Sequence, residues 1–255
     1  MSVVVLTSAG HAPGVTTTAL GLALCWPRPV LLVDADPHPT QSILAGHLQG
    51  EDPFGKGLWA VLAAHRERRG VAAAIEGAAL GLSSADGVDR RYLPGYSNPG
   101  MVELFASAWP EFAAALAARP DDVLVDAGRL GNAGLPGALQ EAADLVLAVT
   151  GSSLVDLAAL RLYLPLLTGP DASRQVRLLI VGPGRPYSAG EISAQFQAEL
   201  AEPVPWAPAE ARAWSHGAAP GRGFPGGGYV RGVRRTATTL TDELDDLRQR
   251  IGAPR

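Results

Sequence analysis

Short unbroken apolar runs alternate along the chain with segments whose apolar residues recur every three or four positions. The runs lie at 3–7, 30–33, 123–125, 145–149 and 176–181. The periodic segments lie at 16–25, 58–68, 101–118, 136–143, 154–162, 189–200 and 236–251. Apolar runs without strict alternation predict strands buried on both faces, and helices between them predict crossovers of a parallel sheet. The pattern therefore predicts an α/β fold: one doubly wound, mostly parallel sheet with helices on both faces, in a single domain over 1–255. Ligands of such sheets lie beyond the carboxyl ends of the strands. Two stretches break the pattern. Residues 46–57 are rich in Gly and Pro, and 217–228 read GAAPGRGFPGGG, which predicts a flexible surface loop. The last segment predicts a C-terminal helix with Leu240, Leu244, Leu247 and Ile251 on one stripe.

Composition narrows the classes. The 255 residues include 30 Gly and 21 Pro, a fraction below the roughly 25–30% at which disorder becomes the default reading. A net charge of −4 excludes a general basic coat, so any surface for nucleic acid is local. One cysteine, Cys25, excludes an internal disulfide and a cysteine-ligated zinc. No apolar run approaches the roughly 18–20 residues of a membrane span, and the first residues lack the basic region of a signal peptide. A cytoplasmic location is expected. Lys56 is the one lysine among 21 Lys and Arg residues.

The most informative stretch is VVVLTSAGHAPGVTTTALGLAL at 3–24. A strand enters a glycine-containing loop, and the loop opens a helix that begins with Thr16, Thr17 and Thr18. Backbone N–H groups and a helix dipole converge on an anion in this arrangement. The usual spacing is G-x-x-x-x-G-K-[ST]. Residues 9–14 reproduce the spacing and Thr16 supplies the hydroxyl, but Val15 stands at the lysine position. Downstream, LLVDADPHP ends one strand with Asp34 and Asp36, and DDVLVDAGRLG ends another with Asp126. Carboxylates at strand ends beside a phosphate loop are the usual means of holding hydrated Mg²⁺. Asp34 also reads as an N-cap for a following helix.

These three motifs resemble the ParA/MinD family of deviant P-loop ATPases. Gly10-His11-Ala12-Pro13-Gly14-Val15-Thr16-Thr17 corresponds to the family's K-G-G-x-G-K-T-T, Val33-Asp34-Ala35-Asp36-Pro37 to its V-D-x-D-P, and Leu124-Val125-Asp126 to its third strand end. The resemblance implies ATP or ADP bound with Mg²⁺ on residues 10–17, Thr16 and Asp126 at the metal, and Asp36 as the catalytic carboxylate. It implies a positioning, partition or assembly factor that works as a homodimer with a protein partner. Both family lysines are replaced, by Gly10 and Val15, and Gly182-Pro183-Gly184 stands where many members carry an adenine-reading Asn. A lost charge-assisted hydrogen bond weakens binding by roughly ten- to a hundredfold, whereas a lost cation at the transferred phosphoryl group costs on the order of 10³–10⁵ in rate. Nucleotide binding with little or no hydrolysis is the expectation, unless Arg129 or Lys56 replaces the missing lysines.

Other readings stay open. The loop also reads as a plain βα turn, or as a relic that binds nothing, and His11 as a solvated loop histidine or a weak cation at the phosphates. Residues 211–240 lack Asp and Glu but carry Arg212, Arg222, Arg231, Arg234 and Arg235. That stretch reads as a solvated basic surface or as a patch for non-specific DNA contacts through Arg222, Arg231, Arg234 and Arg235. Asp242, Glu243, Asp245 and Asp246 in the tail exclude a basic membrane-binding helix. The alternatives are an active DNA-binding partition ATPase and a nucleotide-free scaffold of a pilus, secretion or cell-division assembly. With no lysine to bridge two subunits, the dimer is expected to rest on apolar surface, the tail stripe being one candidate, although such a stripe more often packs within its own chain.

Overall fold

A computed structural model describes residues 1–10, 14–51, 53–82, 86–132, 134–169 and 175–252, with side chains given to Gln249. Seven strands form one sheet: β1 (Val3–Ser8), β2 (Val30–Asp34), β3 (Leu80–Gly81), β4 (Arg90–Leu93), β5 (Asp122–Arg129), β6 (Leu145–Thr150) and β7 (Gln175–Ile180). Their order is β3-β4-β2-β5-β1-β6-β7. The β3–β4 pair is antiparallel and every other pair is parallel. The five predicted strands are present, each within a few residues of its expected bounds. β3 and β4 extend the sheet at one edge.

Alternate residues of each buried strand serve opposite faces. Val3, Val5, Leu31, Val33, Val123 and Val125 enter one core. Val4, Leu6, Leu32, Leu124, Leu145 and Leu147 enter the other. The first core is covered by α2 (Leu58–Arg66), α3 (Val71–Ala78), α4 (Gly100–Phe105), α5 (Trp109–Ala117), α6 (Gly137–Ala142), α7 (Leu154–Tyr163) and α8 (Ala189–Phe196). The second is covered by α1 (Val15–Cys25), α9 (Pro208–Ser215) and α10 (Gly228–Gly252). Continuous apolar strands follow from this two-sided burial.

The C-terminal helix begins at Gly228, eight residues before its expected start. Tyr229, Val230, Val233 and Ala237 continue the buried stripe backward from Leu240 and Leu244. Leu247 packs partly buried against the same core, and the side chain of Ile251 lies outside the described residues. The stripe is therefore an intramolecular seam against α1, the commoner use of such a stripe, and Leu240 and Leu244 are not left for a dimer contact. Within 217–228, Phe224 packs edge-on against Trp214 with ring centroids 5.6 Å apart.

A buried carboxylate fastens this seam at the end of the sheet away from the phosphate loop. Asp122 is 1% exposed. It accepts from Ser2 N at 2.8 Å, Trp26 Nε1 at 2.9 Å, Arg28 Nε at 2.5 Å and Arg248 Nη2 at 3.1 Å. Arg28 and Arg248 also reach Asp245. One residue of β5 thereby ties the first residues, the end of α1 and the last turns of α10.

Candidate functional site

The carboxyl ends of β1, β2 and β5 converge where the sheet order places β1 and β2 on either side of β5. In register, Asp34 stands opposite Asp126, and Ser8 opposite Arg129. The pairing slips by one residue between Leu6 and Ser8, and there β1 leaves the sheet for the loop.

Gly14 closes the loop with φ 87° and ψ 37°, a left-handed conformation that glycine adopts without a Cβ clash. It offers α1 no side-chain cap. The first helical bond runs from Thr18 N to Gly14 O at 2.8 Å. The amides of Val15, Thr16 and Thr17 precede it and have no intrahelical acceptor. Gly10, Gly14, Thr16 and Thr17 are half-buried, whereas Val15 is buried in the core beneath α1. His11, Ala12 and Pro13 lie outside the described residues.

Asp34, Asp36 and Asp126 gather beside this helix start. Asp126 is fully buried, and its Oδ1 accepts from Gly128 N at 3.0 Å. Its Oδ2 has no hydrogen-bond partner among the described residues, nor does the buried Ser8 Oγ. Burial raises the Asp126 pKa, the Asp34 and Asp36 charges raise it further, and the Thr16 hydroxyl and Gly128 amide oppose the shift. Asp34 is likewise pushed up, by burial first. It accepts from Tyr92 Oη at 3.1 Å and from Asp36 N at 3.2 Å. It caps no helix, because the next helical turn begins only at Ile43. Asp36 is less buried and accepts from His38 N at 2.8 Å. Gly128 has φ 59°, and a Cβ there would collide with the Asp36 carboxylate. Only glycine lets β5 pass beneath Asp36.

Of the two candidate cations, Arg129 is adjacent to the loop: Leu130 N donates to Ser8 O at 2.8 Å and the Arg129 side chain is exposed. It borders a cavity of about 500 Å³ lined in part by Ala35, Pro37, Trp109 and Leu139. Lys56 is exposed on a turn closed by Lys56 N to Pro53 O at 2.7 Å. No described contact brings it to the carboxylates.

A second cleft, of about 220 Å³, opens on the other side of the start of α1. Gly14, Thr17 and Thr18 form one wall, and Val181, Pro205 and Trp206 form another. Sequence reasoning missed Tyr92 and Trp206. Tyr92 lies in a strand whose arginines hid it, and Trp206 reaches the cleft only through the fold.

The Ser8 and Asp126 oxygens left without partners among the described residues, amides without an intrahelical acceptor and a hydroxyl near a carboxylate fit a phosphate chain with a hydrated divalent cation. Mg²⁺ takes one or two carboxylates plus phosphate oxygens rather than an all-protein cage. Consistently, the described residues contain no group of three or more His, Cys, Asp or Glu side chains placed to hold a metal alone.

The fold is that of the MinD and ParA P-loop proteins. The chain superposes on MinD of Pyrococcus horikoshii, solved with Mg-ADP, with a TM-score of 0.71, 19% identity and coverage of 96% of this chain and 98% of that one. A ParA family ATPase from Chlorobium tepidum gives 0.70, 16% identity and coverage of 94% and 98%. A chain of the MinC:MinD cell division protein complex of Aquifex aeolicus gives 0.67, 19% identity and coverage of 95% and 96%. No protein-family model and no curated protein matches the sequence. No described helix is long and apolar enough to cross a membrane.

Proposed function

We propose that this chain is a single-domain nucleotide-binding protein of the MinD/ParA kind, cytoplasmic, acting as a positioning, partition or assembly factor with little or no ATP hydrolysis. The observation that carries this reading is the Asp126 Oδ2, without a hydrogen-bond partner among the described residues, beside a helix start whose first amides have no intrahelical acceptor. In this reading the amides of residues 14–17 hold the phosphates of ATP or ADP. Thr16 and Asp126 hold Mg²⁺, directly or through water, and Asp36 takes the place of the carboxylate that orients an attacking water. Mg²⁺, when bound, offsets phosphate charge. Val15 is buried in the core, so no lysine reaches the phosphates from that position. Arg129, next to Ser8, is the cation proposed to substitute in part. Slow or absent hydrolysis follows from that weaker charge compensation.

Self-association belongs to the same proposal. On α7, Leu154 is 66% and Leu162 75% exposed, beside a groove of about 790 Å³ shared with α8. Ala159 of the same helix lies 3.9 Å from where a Cβ on Gly10 would stand. We assign the homodimer contact to this face, with a protein partner acting on the assembled form. A second reading, non-specific DNA binding, is favoured by the exposure of Arg222, Arg231, Arg234 and Arg235. The deciding experiment is calorimetric titration with ATP and ADP in Mg²⁺, with phosphate release at saturating ATP. Binding that Thr16→Ala and Asp126→Ala abolish, with release no faster than in those variants, is the expected result. Equal affinity in wild type and both variants would refute the site, and release at ordinary ATPase rates would refute the weak-hydrolysis reading.

A further inference from the structure

The ends of β2 and β5 serve two different spaces, because residues alternate across a sheet. Asp34, Asp36 and Asp126 stand on the side of α1. Ala35, Pro37, Ala127 and Arg129 instead border the cavity of about 500 Å³ on the opposite side, and none of the three carboxylates does. Val102 of α4, Trp109 of α5 and Leu139 of α6 close that cavity over the sheet. The aromatic part of its wall is braced. Phe105 is 0% exposed and meets Tyr96 edge-on with ring centroids 5.7 Å apart, and Trp109 at 5.4 Å. Pro37, Pro110 and Pro136 stiffen the surrounding backbone. The volume falls within the roughly 300–1,000 Å³ of small-molecule sites, which are mostly apolar with a few polar groups that fix orientation.

Two polar groups of the wall lack partners. Tyr96 is 2% exposed, and its hydroxyl has no hydrogen-bond partner among the described residues. A buried hydroxyl left unpaired costs free energy, and an oxygen atom of an occupant supplies the acceptor. Arg129 is the one charged side chain among the described residues that border the cavity. It is exposed, and its guanidinium has no hydrogen bond or ion pair among the described residues. A guanidinium presents a planar fork of donors that matches a carboxylate or a phosphate. The aspartates on the other side of the same strand ends add a negative field, which opposes a doubly charged phosphate more than a singly charged carboxylate. A cationic ligand meets repulsion from Arg129. Apolar walls with one cation at the mouth are therefore complementary to an apolar body with one carboxylate.

We propose that this cavity binds a small apolar carboxylic acid, with its hydrocarbon body against Trp109 and Leu139 and its carboxylate on Arg129. Arg129 is also the cation proposed to assist the phosphates. Binding is therefore measured on nucleotide-free protein, where the outcome depends on the cavity and not on that role.

The test is calorimetry on the full chain with octanoate, octan-1-ol and octylammonium, which share one body and differ in the head. Octanoate binds about three- to tenfold tighter than octan-1-ol, and octylammonium binds most weakly. Arg129→Gln removes the margin of octanoate over octan-1-ol and leaves octan-1-ol unchanged. Ala106→Trp and Ala138→Phe, at exposed and half-buried positions of the wall, fill the cavity and weaken octanoate by about tenfold or more. Absence of octanoate binding, equal affinity for the three ligands, or a margin that survives Arg129→Gln overturns the proposal. Wild-type affinity in both filling variants overturns it too, because octanoate then binds elsewhere. Arg129 is exposed, so Arg129→Gln remains decisive even if a filling variant fails to fold.

Discussion

Replacing Asp122 by alanine removes the acceptor on which four donors converge. Two of those donors have no route to water: Ser2 is 3% exposed and Trp26 is 0% exposed. Each buried donor left without a partner costs about 1–3 kcal/mol. The two arginines contribute less to the loss. Arg28 and Arg248 are about one third exposed, at 30% and 34%, and both retain Asp245. Solvent screening limits their share to about 1 kcal/mol together. The total is about 3–7 kcal/mol, overlapping the roughly 3–5 kcal/mol found for breaking a buried charge pair from one side. Asp122→Asn keeps one acceptor oxygen and is expected to lose roughly half as much. Urea unfolding followed by tryptophan fluorescence and by far-ultraviolet circular dichroism measures both variants. An Asp122→Ala loss below about 1 kcal/mol would refute the claim that Ser2 and Trp26 depend on this carboxylate. A double-mutant cycle with Arg248→Met then isolates the contribution that joins β5 to α10, expected at or below about 1 kcal/mol.

Asp34→Asn is expected to stabilise the free protein by on the order of 1 kcal/mol at pH 8 and by less at pH 5. Burial raises the folded-state pKa above the unfolded value, with Asp36, Asp126 and Tyr92 facing the group. Stability is therefore lost as pH rises through the folded pKa, and urea midpoints at the two pH values check the sign. Arg231→Glu, Arg234→Glu and Arg235→Glu together are expected to weaken duplex DNA binding and to flatten its log–log salt dependence by about 0.9 for each phosphate no longer neutralised. Absence of wild-type binding at low salt would eliminate the DNA reading. Leu154→Glu with Leu162→Glu is expected to give a monomer in sedimentation, while ATP·Mg²⁺ shifts the wild-type dimer little. A wild-type monomer that dimerises only with ATP would overturn both expectations.

The sheet was legible where burial on both faces leaves no polar residue to interrupt a strand, as in Val3–Ser8 and Leu145–Thr150. β4 was not legible, because Arg90 and Arg91 stand at its start. Arg90 is buried nevertheless, and it donates to Asp86 and to the Trp26 carbonyl. The early turns of α10 were hidden by Gly228 and Gly232, which lower helix propensity; burial of Tyr229, Val230 and Val233 overrides it. Asp34 looked like a cap because helices often follow such aspartates, yet its neighbour across the sheet, Asp126, comes from a residue 92 positions later. Local pattern carries no trace of such a pairing. The same holds for Arg185 and Trp206, which meet only because both flank the end of β7.

The turn that holds Lys56 has a topological consequence. As the chain's one lysine, it is the single place where a lysine-specific protease cuts, and it sits exposed after β2. The shorter product carries β1, α1 and β2, and the longer one carries β3 to β7. In the sheet, β1 lies between β5 and β6, and β2 lies between β4 and β5. The two products are interleaved like fingers, and each strand of the short one has a long-fragment neighbour on both sides. They separate only by opening the sheet, so one cleaved bond converts the protein into a non-covalent heterodimer with Thr16 on one chain and Asp126 on the other.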